Sequence, residues 1–177
     1  YCAIKYWDLS EQLFETITYF TEKKVKSREV RIGDTLVHLK TISPKKNFGT
    51  KTFWANSIKL KVSDPTKTIV DLLDSPSAGG GMRVVFDFFK SYKNSEYYDD
   101  ERLIEYLLQN GNRTAFKRLG FLLEMVPSNN ERLISLVQEN ISSGYSSFDT
   151  TLENDRIIKK WNLKVPASWK KEYDRKK

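Results

Sequence analysis

A small antiparallel or mixed β-sheet in the first third, packed with about five short helices in one α+β domain, is the fold class this sequence predicts. Two observations predict it. Apolar residues alternate with period two up to Val62 and recur at about three and a half residues thereafter. At 177 residues and 39% hydrophobic content, the chain can bury a core without disulfides or metal. A single compact domain follows, with a β-rich part over 1–62, a helical part over 63–141, and a connection, a possible strand and a basic tail over 142–177.

The first residues, Tyr1 to Trp7, read as the apolar end of a helix already under way, which predicts a further part upstream. Residues 15–21 and 34–43 are strand-like in their β-branched and aromatic content, and Ile32-Gly33-Asp34 suits a hairpin turn. In 58–62, Ile58, Leu60 and Val62 alternate with Lys59 and Lys61, which face water or a ligand; Asn56-Ser57 turns the chain before them. Asp64-Pro65 is an N-cap and first-turn pair, followed by the stripe Ile69, Leu72 and Leu73. Gly79-Gly80-Gly81 reads as a flexible link. Met82, Val85, Phe86 and Phe89 form the next apolar face, and Asp99-Asp100-Glu101 opens a third helix ended by Gly111. Asn112 caps a fourth, with Ala115, Leu119, Leu122, Leu123 and Val126 inward, and Ser128 with Glu131 has the spacing of a capping box for a fifth. Gly120 inside the fourth helix costs about 1 kcal/mol and predicts a close backbone approach. From Lys170 the tail reads as mobile.

The charge is segregated. Residues 23–61 carry a net +9 and 156–177 a net +7, while 1–22 carry −3 and 62–155 carry −6. Such a basic block attracts polyanions, so nucleic acid is the first partner to consider; a solvated lysine-rich surface is the other reading. Lys23, Lys24, Lys26, Arg28 and Arg31 bracket one strand connection. Lys45, Lys46 and Lys51 flank Asn47-Phe48-Gly49 beside Phe53 and Trp54, an interleaving that can hold phosphates and stack bases, although the two aromatics also suit a core at a sheet edge. The lone Cys2 forms no internal disulfide and fits a reducing, cytoplasmic compartment; no apolar run is long enough to cross a membrane.

Enzyme chemistry finds little to build on. His38 is the single histidine and alternates into a strand, and Gly79-Gly80-Gly81 lacks the Lys-Ser/Thr of a phosphate-binding loop. Asp71 and Asp74, three apart on one helix, are a conceivable metal pair, but no Glu-x-Lys follows at a strand end to complete a nuclease-like site. No cofactor and no bound metal are expected. On the fourth helix Arg113, Lys117, Gly120 and Glu124 lie at i, i+4, i+7 and i+11, a polar face which, with Arg118, can bind a partner or simply meet solvent.

Two motifs carry a resemblance. Ser63-Asp64-Pro65, Thr68 and Asp71-Leu72-Leu73, then Pro76 and Gly79-Gly80, then Asn112-Arg113 and Lys117-Arg118-Leu119-Gly120-Phe121-Leu122-Leu123-Glu124, resemble the C-terminal domain of AbiEi-type antitoxins of type IV toxin–antitoxin systems linked to phage abortive infection. Tyr6-Trp7, Thr18 to Thr21 and Ser43-Pro44-x-Lys46-x-Phe48-Gly49 extend the likeness over nearly the whole chain. The resemblance implies a non-enzymatic antitoxin and transcriptional autoregulator that neutralises a nucleotidyltransferase-like toxin. It also implies that operator DNA is read mainly by an N-terminal winged-helix domain, no part of which is recognisable in this sequence. A nucleic-acid-binding regulator acting through its own basic surface, and a metal-dependent nuclease, are the rival readings.

Overall fold

The computed structural model describes residues 2–9, 16–32, 35–55, 58–127 and 130–176. After a short helix α1 (Cys2–Tyr6) come β1 (Thr16–Thr21), β2 (Glu29–Ile32), β3 (Thr35–Thr41), β4 (Thr50–Ala55) and β5 (Ile58–Ser63). β3 is central in a mixed sheet, parallel to β1 and antiparallel to β2. β4 and β5 form a separate antiparallel hairpin. Both elements are where the period-two pattern places strands; the turn residues Gly33, Asp34, Asn56 and Ser57 lie outside the described residues.

Five helices follow: α2 (Pro65–Asp74), α3 (Met82–Lys93), α4 (Asp100–Asn110), α5 (Arg113–Met125) and α6 (Glu131–Glu139). Their starts are chemically specified. Asp64 accepts from the Lys67 N–H at 2.7 Å, Asp99 from Arg102 at 3.0 Å and Asn112 from Thr114 at 2.9 Å, each satisfying a first-turn donor. The cap of α6 is Asn130, which accepts from Leu133 at 2.9 Å, so the cap falls two residues later than the Ser128 spacing predicts. Ser128 itself lies outside the described residues.

The C-terminal part differs most from expectation. β6 (Ser146–Ser147), β7 (Arg156–Ile158) and β8 (Leu163–Val165) form a second mixed sheet in the order β6-β8-β7. The tail expected to be mobile is a helix, α7 (Ala167–Arg175), whose Trp169 and Tyr173 are buried. The reason is their i, i+4 spacing, which puts both rings on one face among lysines. Tyr173 stacks on Phe121 at 5.0 Å between ring centroids, and Trp169 meets Phe148 edge-on at 5.0 Å. These rings join the core that runs from Ile4 through α2–α6 to Trp161. Every residue of α5 from Ala115 to Leu123 is buried, so this helix is enclosed on all sides.

Two glycine positions are decided by packing. Gly80 and Gly81, at φ 90° and 99°, turn the chain from a 3-10 turn (Pro76–Gly79) into α3, whose first N–H, from Met82, donates to Asp149 at 2.8 Å. The expected flexible link is therefore an ordered corner. At Gly120 the close neighbour is the indole of Trp161 and not a backbone: an added Cβ would stand 2.1 Å from the ring.

Candidate nucleic-acid interface

β2 is an outer strand, so the segment leading into it lies along a sheet edge. Lys23, Lys24, Lys26, Arg28 and Arg31 are all exposed there, and none forms an ion pair among the described residues. Cations also protect sheet edges against pairing with other chains, so this charge has a structural use as well. His38 sits in β3 with its Nδ1 3.4 Å from Glu29, a half-buried strand residue.

Lys45 is exposed, but Lys46 turns inward from its 3-10 turn (Pro44–Lys46) and meets Asp74 of α2 at 2.8 Å. It is thus partly neutralised within the chain, which corrects its assignment as a free phosphate contact. Beside it a cavity of about 200 Å³ opens between β1, β5 and α2, with Thr18, Phe48, Lys61, Lys67 and Asp71 among its walls. Lys67 is buried, ion-paired with Asp71 and 4.7 Å from the Phe48 ring centre. Burial pushes the Asp71 carboxyl above its ordinary range, and Lys67 offsets only part of that. Burial acts the same way on Asp74, but hydrogen bonds from Lys46 and Asn112 outweigh it and hold that carboxyl below its ordinary range. Lys40 is lowered by burial in the same neighbourhood.

The motif residues act as staples between these layers. Asp64 caps α2 with one carboxylate oxygen and accepts from the Tyr106 hydroxyl of α4 with the other, at 3.0 Å. Burial and that bond push the Tyr106 phenol up to about 12. Pro65 occupies the first turn, and the Thr68 hydroxyl donates to the Asp64 carbonyl at 2.8 Å. The Ser63 carbonyl accepts from the Trp7 indole N–H at 2.7 Å. Asp71 and Asp74 each take a lysine, so the conceivable metal pair is occupied by the chain's own cations; among the described residues no group of three or more potential ligands gathers.

The polar face predicted on α5 needs correction. Arg113 is exposed and donates to the Asn140 carbonyl and side chain. Lys117 is wholly buried and donates to the Gly144 carbonyl and, at 3.2 Å, to Ser146 Oγ; burial lowers its pKa. Arg118, 4% exposed, donates to the carbonyls of Leu73, Asp74, Ser147 and Phe148. Burial pulls it down to about 10. Glu124 accepts from Lys160 at 2.5 Å, from the Trp161 indole at 2.6 Å and from the Tyr173 hydroxyl. The second sheet and α7 pack where solvent was expected, so of these four residues only Arg113 is exposed to a partner.

Of the two positions the sequence allows Trp54, beside the lysines as a stacking surface or in a core at the sheet edge, the structure shows the exposed one: it is 68% exposed. It lies directly across the hairpin from Lys59, with Thr52 across from Lys61 in the same row. The signal was present: Thr50, Thr52 and Trp54 share one phase of β4, and threonines mark a polar face.

No protein-family model matches the chain, and no curated protein or solved structure matches it either.

Proposed function

We propose that this chain is a non-enzymatic regulatory module that acts by binding nucleic acid through the basic part of its β-rich region. The observation carrying the proposal is the exposed edge cluster of Lys23, Lys24, Lys26, Arg28 and Arg31, which no acidic side chain neutralises among the described residues. Phosphate contact of this kind supplies affinity without reading sequence. In the narrower form supported by the resemblance of the 63–73 and 117–124 motifs, the module is an AbiEi-type antitoxin. It would then work in the cytoplasm, on the operator of its own operon, against a nucleotidyltransferase-like toxin.

Changing the five edge cations together to Ser tests the first statement. Duplex DNA binding is expected to weaken, and the slope of log affinity against log salt to fall by up to about 4.5. Equal affinity and slope in wild type and variant would overturn it. The narrower form is tested by co-expression with a nucleotidyltransferase-like toxin encoded beside the gene: growth rescue supports it, and unrelieved toxicity removes it.

A further inference from the structure

We propose that the outer face of the β4–β5 hairpin is a docking track for an unpaired RNA strand, one base stacking on Trp54 and the phosphates following Lys59 and Lys61. The proposal rests on the nucleic-acid reading above and gives it a second surface with its own chemistry.

Of the four tryptophans, Trp161 and Trp169 are buried and Trp7 is half-buried, its indole N–H bonded to the Ser63 carbonyl. Trp54 alone is left largely in water, at 68% exposure. The strand register fixes its neighbours. Lys59 is its direct cross-strand partner, and Lys61 is the next residue along the same face, opposite Thr52. Directly opposed side chains stand about 5 Å apart at Cβ, so both ammonium groups can reach the edges of whatever covers the indole. Neither lysine forms an ion pair among the described residues.

Part of the opposite face is engaged within the chain. Val62 is buried there, and the Lys51 ammonium lies 4.8 Å from the Trp7 ring centre. The outer row also leads somewhere: Thr50 and Lys61 both line the cavity beside Lys46. From Trp54 to Thr50 the strand covers about 13 Å, enough to hold more than one contact point of an extended ligand.

Charge and shape select the occupant. A flat, uncharged base flanked by phosphates satisfies an indole flanked by ammonium groups, which is the recurring chemistry of single-strand binding. An acidic peptide would neutralise the lysines and leave the indole in water. A duplex offers only base edges, its faces being stacked internally, and so cannot use the indole. The hydroxyls of Thr50 and Thr52 stand in the same row, and each can both donate to and accept from a ribose 2′-hydroxyl, which favours RNA over single-stranded DNA.

The test compares a ten-nucleotide oligouridylate, the matching oligodeoxythymidylate and a ten-base-pair DNA duplex. Binding to the full chain is read by anisotropy of the labelled oligonucleotide. Trp54→Ala is expected to weaken oligouridylate binding about tenfold and to leave duplex binding within about twofold. Lys59→Ser with Lys61→Ser is expected to lower the salt slope for oligouridylate by about 1.4. Oligouridylate should also quench tryptophan emission in the wild type and not in Trp54→Ala. The proposal is overturned if Trp54→Ala alters neither ligand or both equally, or if the deoxy strand binds more tightly than the ribo strand. Binding to none of the three would overturn the wider nucleic-acid reading, whereas duplex binding with a Trp54-insensitive single strand would overturn this inference alone.

Discussion

Gly120 and Glu124 sit one turn apart on α5 and are both set by Trp161, the one by its ring face and the other by its N–H. Gly120→Ala drives a methyl into a fully buried indole, and overpacking of this kind is expected to cost about 3 kcal/mol in urea unfolding. A measured loss near the cost of an ordinary surface substitution would mean that the ring moves freely. Glu124 carries a pH signature. Burial alone would raise its pKa, but the donors Lys160, Tyr173 and Trp161 hold it below the usual range. A carboxyl depressed in the folded state stabilises above its unfolded pKa, near 4.3, and loses that contribution as pH falls through the folded value. Glu124→Gln should therefore be less stable by about 2 kcal/mol at pH 7, with the difference from wild type closing below about pH 4. A pH-independent difference would assign the effect to packing instead. The sequence indicated that these residues shared a face. It did not indicate that the face was internal, because helical spacing reports which residues lie together and not what lies against them.

Elements with a sustained period were readable. α2 to α5 follow from their apolar stripes and caps, and the strands up to Val62 follow from alternation. β7 falls within 156–161, where a strand could be anticipated, whereas β6 and β8, of two and three residues, are too short to show any period. α7 was hidden differently: charged residues, Lys170, Lys171, Glu172, Asp174 and Arg175, dominate its composition, while its fold-determining information is the pair Trp169 and Tyr173. Trp169→Ala is expected to cost about 4 kcal/mol in thermal or urea unfolding. Substituting Ser for Lys171 on the exposed side should change stability by less than about 0.5 kcal/mol. Equal effects would mean that α7 does not dock on Phe121 and Phe148.

Across the whole molecule, charge is segregated along the chain, with two basic stretches, 23–61 and 156–177, on either side of the acidic 62–155, and such basic stretches draw a polyanion in before any contact forms. That asymmetry was visible in the sequence and accounts for the choice of candidate surface. The meeting of Lys46 with Asp74, 28 positions apart, was not, since nothing local to either residue names the other. The long-range partners of the 63–74 segment were equally hidden: it is a set of joints, Asp64 to Tyr106, Asp71 to Lys67 and Asp74 to Asn112.

Arg118 bears on how the chain is made. Two of its carbonyl partners, Leu73 and Asp74, leave the ribosome before it does, while Ser147 and Phe148 follow some thirty residues later. Closing the helices early would bury a guanidinium with half its acceptors still unsynthesised, which is strongly unfavourable. A chain ending before Ser147 is therefore expected to be cleaved by protease faster than the full chain, and equal resistance would mean that the helices close without those two acceptors.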